Sequence, residues 1–249
     1  MKTHIAGSNA TSIRFRGHDL VEELIGKHGF TEIFYLLTCG RLPNATETRV
    51  LDACLVTLMD HGWTPTSLIT RLAYDSAPSQ VQVGIAAGLL AVGDVFAGTM
   101  DGCAKLLAEG VGKDDKAAWC KEVAQAHRTL KKPMPGFGHP FHKPDDPRPP
   151  RLFRVAEEAG VEGRYIALLR QLSAAVDEVY GRHLTINATG ALAALLLEIG
   201  MPLAIMRGVS VVSRSAGLAA HIAEEQKNPT ARAIWAMVDE QIPYEDPPA

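Results

Sequence analysis

Proline placement constrains this chain more than any other feature. Of 15 prolines in 249 residues, seven (Pro133, Pro135, Pro140, Pro144, Pro147, Pro149 and Pro150) fall between residues 133 and 150. Proline removes a backbone donor and clashes with the preceding turn, so this stretch cannot be helix interior. The remainder of the chain is left almost free of helix breakers, and apolar residues recur there at helical spacing. Leu20, Leu24 and Ile25 mark one face, Ile33, Leu36 and Leu37 a second, and Leu51, Cys54, Leu55 and Leu58 a third. Residues 81–97 (VQVGIAAGLLAVGDVFA) are apolar nearly all round and rich in Gly and Ala, which predicts a central helix with close neighbours. Amphipathic helices are predicted over 114–130 and 151–159. Further helices are predicted over Tyr165–Tyr180, Ala191–Leu197, Leu203–Glu225 and Ala231–Ile242, with Glu178 and Arg182 four apart near the end of the first of these. Strand alternation is scarce, and only Val209–Val212 is ambiguous. The expected fold class is all-α, as one large domain or a large helical domain with a small cap. Asn44 followed by Glu47 reads as a capping box, with Thr31 and Asp114 as weaker N-caps.

Composition removes several function classes. A net charge of −3 offers no basic face to release phosphate counterions, so a nucleic-acid partner is not expected. Apolar runs such as Ala191–Leu197 are too short to span a bilayer, and the N-terminus has no apolar signal region, so a cytoplasmic location is expected. Cys39, Cys54, Cys103 and Cys120 lack metal-ligand spacing and read as reduced, mostly buried thiols. No metal site is expected.

The proline segment reads PMPGFGHPFHKPDDPRPP. A linker would be polar, yet this one holds Met134, Phe137 and Phe141 beside two histidines, a lysine, two aspartates and Arg148. Gly136 and Gly138 let backbone N–H groups approach a ligand. The prolines restrict the backbone, so polar groups are held in place at little ordering entropy. The helix that follows Pro149 and Pro150 directs its N-terminal dipole at the segment's end, where a phosphate or carboxylate would be favoured.

The residues GFGHPFHKPDDPR resemble the GxGHxxxKxxDPR signature of the citrate synthase family, especially its short citryl-CoA lyase-like branch. Arg16–Leu24, Phe30–Leu37 with Gly40–Pro43, Asp60-His61, Gly200-Met201-Pro202 and Arg214–Gly217 resemble further elements of that family, in order. The resemblance implies a large helical domain (about 1–110 and 205–249) and a small CoA-binding helical domain (about 111–204). It places His139 at the substrate hydroxyl or carbonyl, with His61 as a second oxygen donor. Gly136, Phe137 and Gly138 would line the CoA site, with Lys143 near its phosphates. Arg148 and Arg214 would clamp carboxylates, which suits a bidentate guanidinium that stays charged. A homodimer is also implied, and the Gly/Ala-rich stretch Val83–Ala97 would suit such an interface or, equally, a core. No permanently bound cofactor is expected; the CoA thioester is substrate or product.

Two positions depart from the family pattern. Asp101 stands where the family has a histidine, and Thr189 stands at its catalytic aspartate, while Asn187 is kept. Threonine is no general base for an acyl-CoA α-proton. An ionised carboxylate at 101 opposes an enolate's charge, but one buried beside Met100 and Cys103 could keep its proton. Asp101 is therefore a candidate acid/base or, equally, a helix-capping aspartate. The leading expectation is carbon–carbon cleavage of a 3-hydroxy-3-carboxyacyl-CoA such as citryl-CoA to acetyl-CoA and oxaloacetate. The alternatives are a citrate or methylcitrate synthase-type condensing enzyme, and a non-catalytic CoA-ester binding protein.

Overall fold

The structure, a computed structural model, describes residues 1–93 and 99–247. The helical spacing is realised as α1 (Phe30–Cys39), α2 (Ala45–Leu58), α3 (Pro65–Ser76), α4 (Val81–Leu89), α5 (Met100–Gly110), α6 (Lys116–Thr129), α7 (Arg148–Glu158), α8 (Arg164–Tyr180), α9 (Ala188–Glu198), α10 (Met206–Glu225) and α11 (Ala231–Gln241). The fold is all-α with one addition. Strands β1 (Ala6–Ser8), β2 (Ile13–Phe15) and β3 (His18–Asp19) pair antiparallel, with Ala6 opposite Phe15 and Arg14 opposite Asp19. Strands this short and exposed carry too little alternation to be read from sequence. Val209–Val212 lies within α10. The helix predicted over 81–97 is α4, which ends at Leu89; residues 94–97 lie outside the described residues.

Local chemistry sets the helix starts. Asn44 and Glu47 form the predicted capping box, through Glu47 N to Asn44 Oδ1 and Asn44 N to Glu47 Oε2, both 2.8 Å. Thr31 does not cap; α1 starts after Gly29, whose N–H binds the Glu32 carboxylate, and Thr31 donates to Asp52. Asp115 rather than Asp114 caps α6, accepting from Ala118 N at 2.9 Å. Glu178 pairs not with Arg182 but with Lys121 of α6, 2.8 Å away. Residues 203–225 are long and apolar enough to cross a membrane by length and composition alone. They nevertheless carry Arg207, Arg214, His221, Glu224 and Glu225, and bury Met206, Ser210, Ser213 and Leu218 at helical spacing, as an amphipathic core helix does.

The chain packs as two compact units. Residues 1–57 and 98–208 form the first. At its centre runs α9, with Ala191 through Leu196 buried on every side, against α5, α7 and α8. This division differs from the expected one, which joined 1–110 to 205–249. The reason lies in α1 and α2: Tyr35 donates to Ile199 O at 2.7 Å from a buried position, and Thr46 donates to Ala159 O.

Residues 58–97 and 209–249 form the second unit. There α3 and α4 meet at glycines. A Cβ on Gly88 would lie 2.0 Å from Thr70 Oγ1 and 2.6 Å from Thr66 O, and the latter is backbone. Small residues in α4 thus serve close packing inside this unit. Gly88→Ala is expected to cost about 2–3 kcal/mol by overpacking, which exceeds the gain in helix propensity of about 1 kcal/mol. Thermal unfolding checks the net loss of about 1–2 kcal/mol, with an expected fall of about 2–8 °C. The same unit buries Arg71 between Glu225, at 2.8 Å, and Glu224, with its Nε donating to His221 Nδ1.

Candidate functional site

Three segments of the first unit converge: the proline loop 133–150, the start of α9 and the start of α5. The backbones of the loop and of the approach to α9 touch. Phe137 bridges Ile186; Gly138 N donates to Thr185 O at 2.8 Å, and Asn187 N donates to Gly136 O at 3.0 Å. A Cβ on Gly190 would sit 2.4 Å from Gly136 O, and one on Gly136 would sit 2.9 Å from Gly190 Cα. Gly136 and Gly138 also adopt φ of 86° and 78°, where other residues are strained. The glycines therefore serve the loop's own seating. The expectation that they free N–H groups for a ligand is corrected: Phe137 N donates to Met134 O and Gly138 N to Thr185 O. Met134 and Phe137 are buried, whereas Phe141 is 80% exposed.

Asp146 anchors the segment, and sequence reasoning passed over it. It is 1% exposed. Its Oδ1 accepts from Arg148 N and Nε, and its Oδ2 from Arg148 Nη2 (2.7 Å) and Ala188 N (3.1 Å). The carboxylate thus lies across the first turns of both α7 and α9, where helix dipoles favour a negative charge. Burial pushes its carboxyl up, but the hydrogen bonds from Arg148 and Ala188 outweigh it and hold it below the usual carboxylate range. The anion expected at the start of α7 is therefore the protein's own Asp146. Pro149 and Pro150 occupy the first turn, where no donor is needed.

His139 stands above this anchor. Its Nδ1 accepts from Phe141 N (3.2 Å) and His142 N (3.0 Å). Backbone N–H groups can only donate, so a neutral ring carries its proton on Nε2, an assignment that follows from the hydrogen-bond network. Nε2 lies 3.4 Å from Arg148 Nη2. With that tautomer two donors face each other across this gap, a juxtaposition that an oxygen or carboxylate beside them would relieve. The His142 ring stacks on His139 at 4.3 Å. Lys143 is exposed and lines a pocket of about 310 Å³ together with His142 and Arg182.

Hydroxyls join the α9 and α5 starts. Thr189 Oγ1 donates to Asn187 Oδ1 at 2.7 Å and lies 2.7 Å from Thr99 Oγ1. Its proton is committed to Asn187, which also caps α9 through Gly190 N and donates from Nδ2 to Gly138 O. Asp101 follows in the first turn of α5, and among the described residues no side chain caps that helix start. Its neighbours Met100 and Cys103 point into the core, but Asp101 itself is partly exposed and pairs with Arg207 Nε at 3.1 Å. Its environment is a cation rather than the expected apolar wall. Asp101 Oδ1 is buried and has no hydrogen-bond partner among the described residues. Cys103 is no nucleophile, since burial pushes its thiol up to about 12.

His61 and Arg214 belong to the second unit. There Asp60 accepts from Gly62 N at 2.7 Å and lies 2.8 Å from His221 Nε2 and 3.9 Å from Arg214 Nη1. His61 lies in the loop after α2, next to Asp60.

Comparison with known proteins bears on the family and the fold. Residues 43–235 match the family model for the citrate synthase C-terminal domain. The citryl-CoA lyase of Hydrogenobacter thermophilus superposes with a TM-score of 0.89 at 29% identity, over 100% of this chain and 96% of that one. An ATP citrate lyase of Methanosaeta concilii, solved with (3S)-citryl-CoA, shares the fold with a TM-score of 0.84 at 18% identity, over 100% of this chain and 42% of that one. The citrate synthase of Haloferax volcanii is 26% identical over 226 residues, covering 88% of this chain and 57% of that protein. The chain thus spans little more than half of that relative. A matched family model over most of its length, and a fold that seats the motif residues His139, Arg148 and Asn187 around one loop, show that the chain belongs to the citrate synthase family.

Proposed function

We propose that the protein cleaves a 3-hydroxy-3-carboxyacyl thioester of coenzyme A, citryl-CoA in the first instance, to acetyl-CoA and oxaloacetate. The observation that carries this reading is the end-to-end likeness to a citryl-CoA lyase of nearly the same length. In the cleavage, the tertiary hydroxyl loses its proton and its oxygen becomes the carbonyl of the oxo acid. The broken carbon–carbon bond leaves its electrons on the thioester enolate, and the enolate carbon takes up a proton. His139 donates from Nε2 to the oxygen that changes from alkoxide to carbonyl. Arg148, held in its fork by Asp146, receives a substrate carboxylate. Asp101, with one oxygen on Arg207 and the other buried without a donor, moves the proton.

Purified full-length protein incubated with citryl-CoA is expected to release acetyl-CoA and oxaloacetate in equal amounts. Asp101→Asn is expected to lower this turnover at least 100-fold while leaving CoA affinity, read by calorimetry, unchanged. Unchanged turnover removes Asp101 from the mechanism. One observation favours a second reading, that of a CoA-ester binding protein without turnover: Thr189 offers Asn187 a proton instead of offering a substrate a base. Saturable citryl-CoA binding with no product would establish it, and citryl-CoA formed from acetyl-CoA and oxaloacetate would mark a condensing enzyme.

A further inference from the structure

The loop has a second tie to the fold, which the reaction above does not use. After α8 the chain turns at Gly181 and places His183 between two carboxylates. His183 Nδ1 lies 2.6 Å from Asp177 Oδ2, on α8, and Nε2 lies 2.9 Å from Asp145 Oδ1, on the loop. Asp177 is fixed in turn, because its Oδ1 accepts from Leu184 N at 2.8 Å. Both ring nitrogens face acceptors only. A neutral imidazole has a single N–H and satisfies one of them, whereas an imidazolium satisfies both. The two carboxylates, Asp177 before Asp145, accordingly hold the His183 pKa above its usual value, against a smaller opposing effect of burial. Other charged groups bordering the same pocket are Lys143, His142, His139 and Arg182, while Glu178 of α8 is engaged with Lys121.

We propose that His183 is a positioning residue for the loop: as an imidazolium it clasps Asp145 to Asp177, and its deprotonation releases that arm of the loop and weakens CoA-ester binding. The coupling to binding rests on the reading of this loop as the CoA-ester site. Of the two contacts, the one to Asp145 is lost first, because Asp145 is 65% exposed against 33% for Asp177 and water readily replaces its partner. The arm that Asp145 ends also carries His139, Phe141, His142 and Lys143. The sign follows from the raised pKa: the clasp is complete below the ordinary histidine range and is lost as pH rises through the folded-state value.

The test is hydrogen exchange of the full-length chain from pH 6 to 9, read as protection factors at the Phe141 and His142 amides, with CoA affinity measured by calorimetry in the same buffers. Over that range protection is expected to fall about fivefold and the CoA Kd to rise about fivefold. His183→Gln is expected to show the high-pH values throughout. His183→Arg keeps the cation and is expected to hold the low-pH values up to pH 9. Flat wild-type profiles, or a His183→Gln profile that follows wild type, overturn the clasp. Falling protection with no CoA binding at any pH overturns the coupling to binding, together with the reading of the loop as a CoA site.

Discussion

Replacing Asp146 by alanine is expected to lower the melting temperature by about 6–12 °C. Three groups lose their acceptor at once: the Arg148 guanidinium, the Arg148 amide and the Ala188 amide. Removing one member of a buried charge pair costs about 3 kcal/mol or more, because the remaining charge is left without its partner. The loss also reaches the site, since Arg148 no longer has the fork that fixes it beside His139. Citryl-CoA turnover is therefore expected to fall with stability, whereas Gly88→Ala, in the other unit, lowers stability alone. The pH dependence has a definite sign. Asp146 titrates below its unfolded value, so its contribution is fully present above about pH 4 and is lost as pH falls through the folded-state value. The melting difference between wild type and Asp146→Asn is expected to narrow in acid. A constant difference from pH 7 to 3 would show that the charge is not what stabilises.

His139→Asn is expected to cut citryl-CoA turnover about 100-fold or more with little change in CoA affinity. Asparagine is chosen for its shape. Its side-chain oxygen can take over from Nδ1 as acceptor for Phe141 N and His142 N, so the loop tip keeps its turn. What is removed is the Nε2–H donor, which stabilises the alkoxide formed when the tertiary hydroxyl gives up its proton, ahead of carbon–carbon cleavage. The effect therefore belongs in kcat rather than KM. His139→Ala removes both functions and is expected to lower kcat and raise KM together. Wild-type kinetics for His139→Asn beside an impaired His139→Ala would assign His139 to loop structure alone.

Helix positions were legible because burial imposes a period on the sequence, and α7 shows it most fully, with Pro149, Leu152, Phe153 and Ala156 buried at helical spacing. The β1–β3 sheet was not, since strands of two or three exposed residues bury too little to leave a pattern. One-residue ambiguities hid the caps: Asp114 and Asp115 are chemically equal, and only backbone geometry selects the second. The doublet Asp145-Asp146 posed the same problem on the loop. Neighbouring carboxylates point apart there, one into a buried junction and one to a surface histidine. Asp101 could be singled out from sequence, but its partner Arg207 lies 106 positions later and no local spacing announces it. The Thr99–Thr189 contact is long-range in the same way. Motifs led to the loop; which side chain braces which was fixed by packing between distant segments.

The meeting of Gly136 and Gly190 has a consequence for how this site can diversify. One wall is bare main chain against main chain, too close for any side chain to be added. Such a wall is a fixed mould: it sets the spacing of the loop from α9 and cannot be retuned one substitution at a time. Under the proposed function, selectivity among acyl groups would be written on surfaces that still carry side chains, the first turn of α5 with Asp101 and the loop tip around His139. Variation aimed at a new substrate would be concentrated there, while the glycine seam stays as the constant against which those changes are measured.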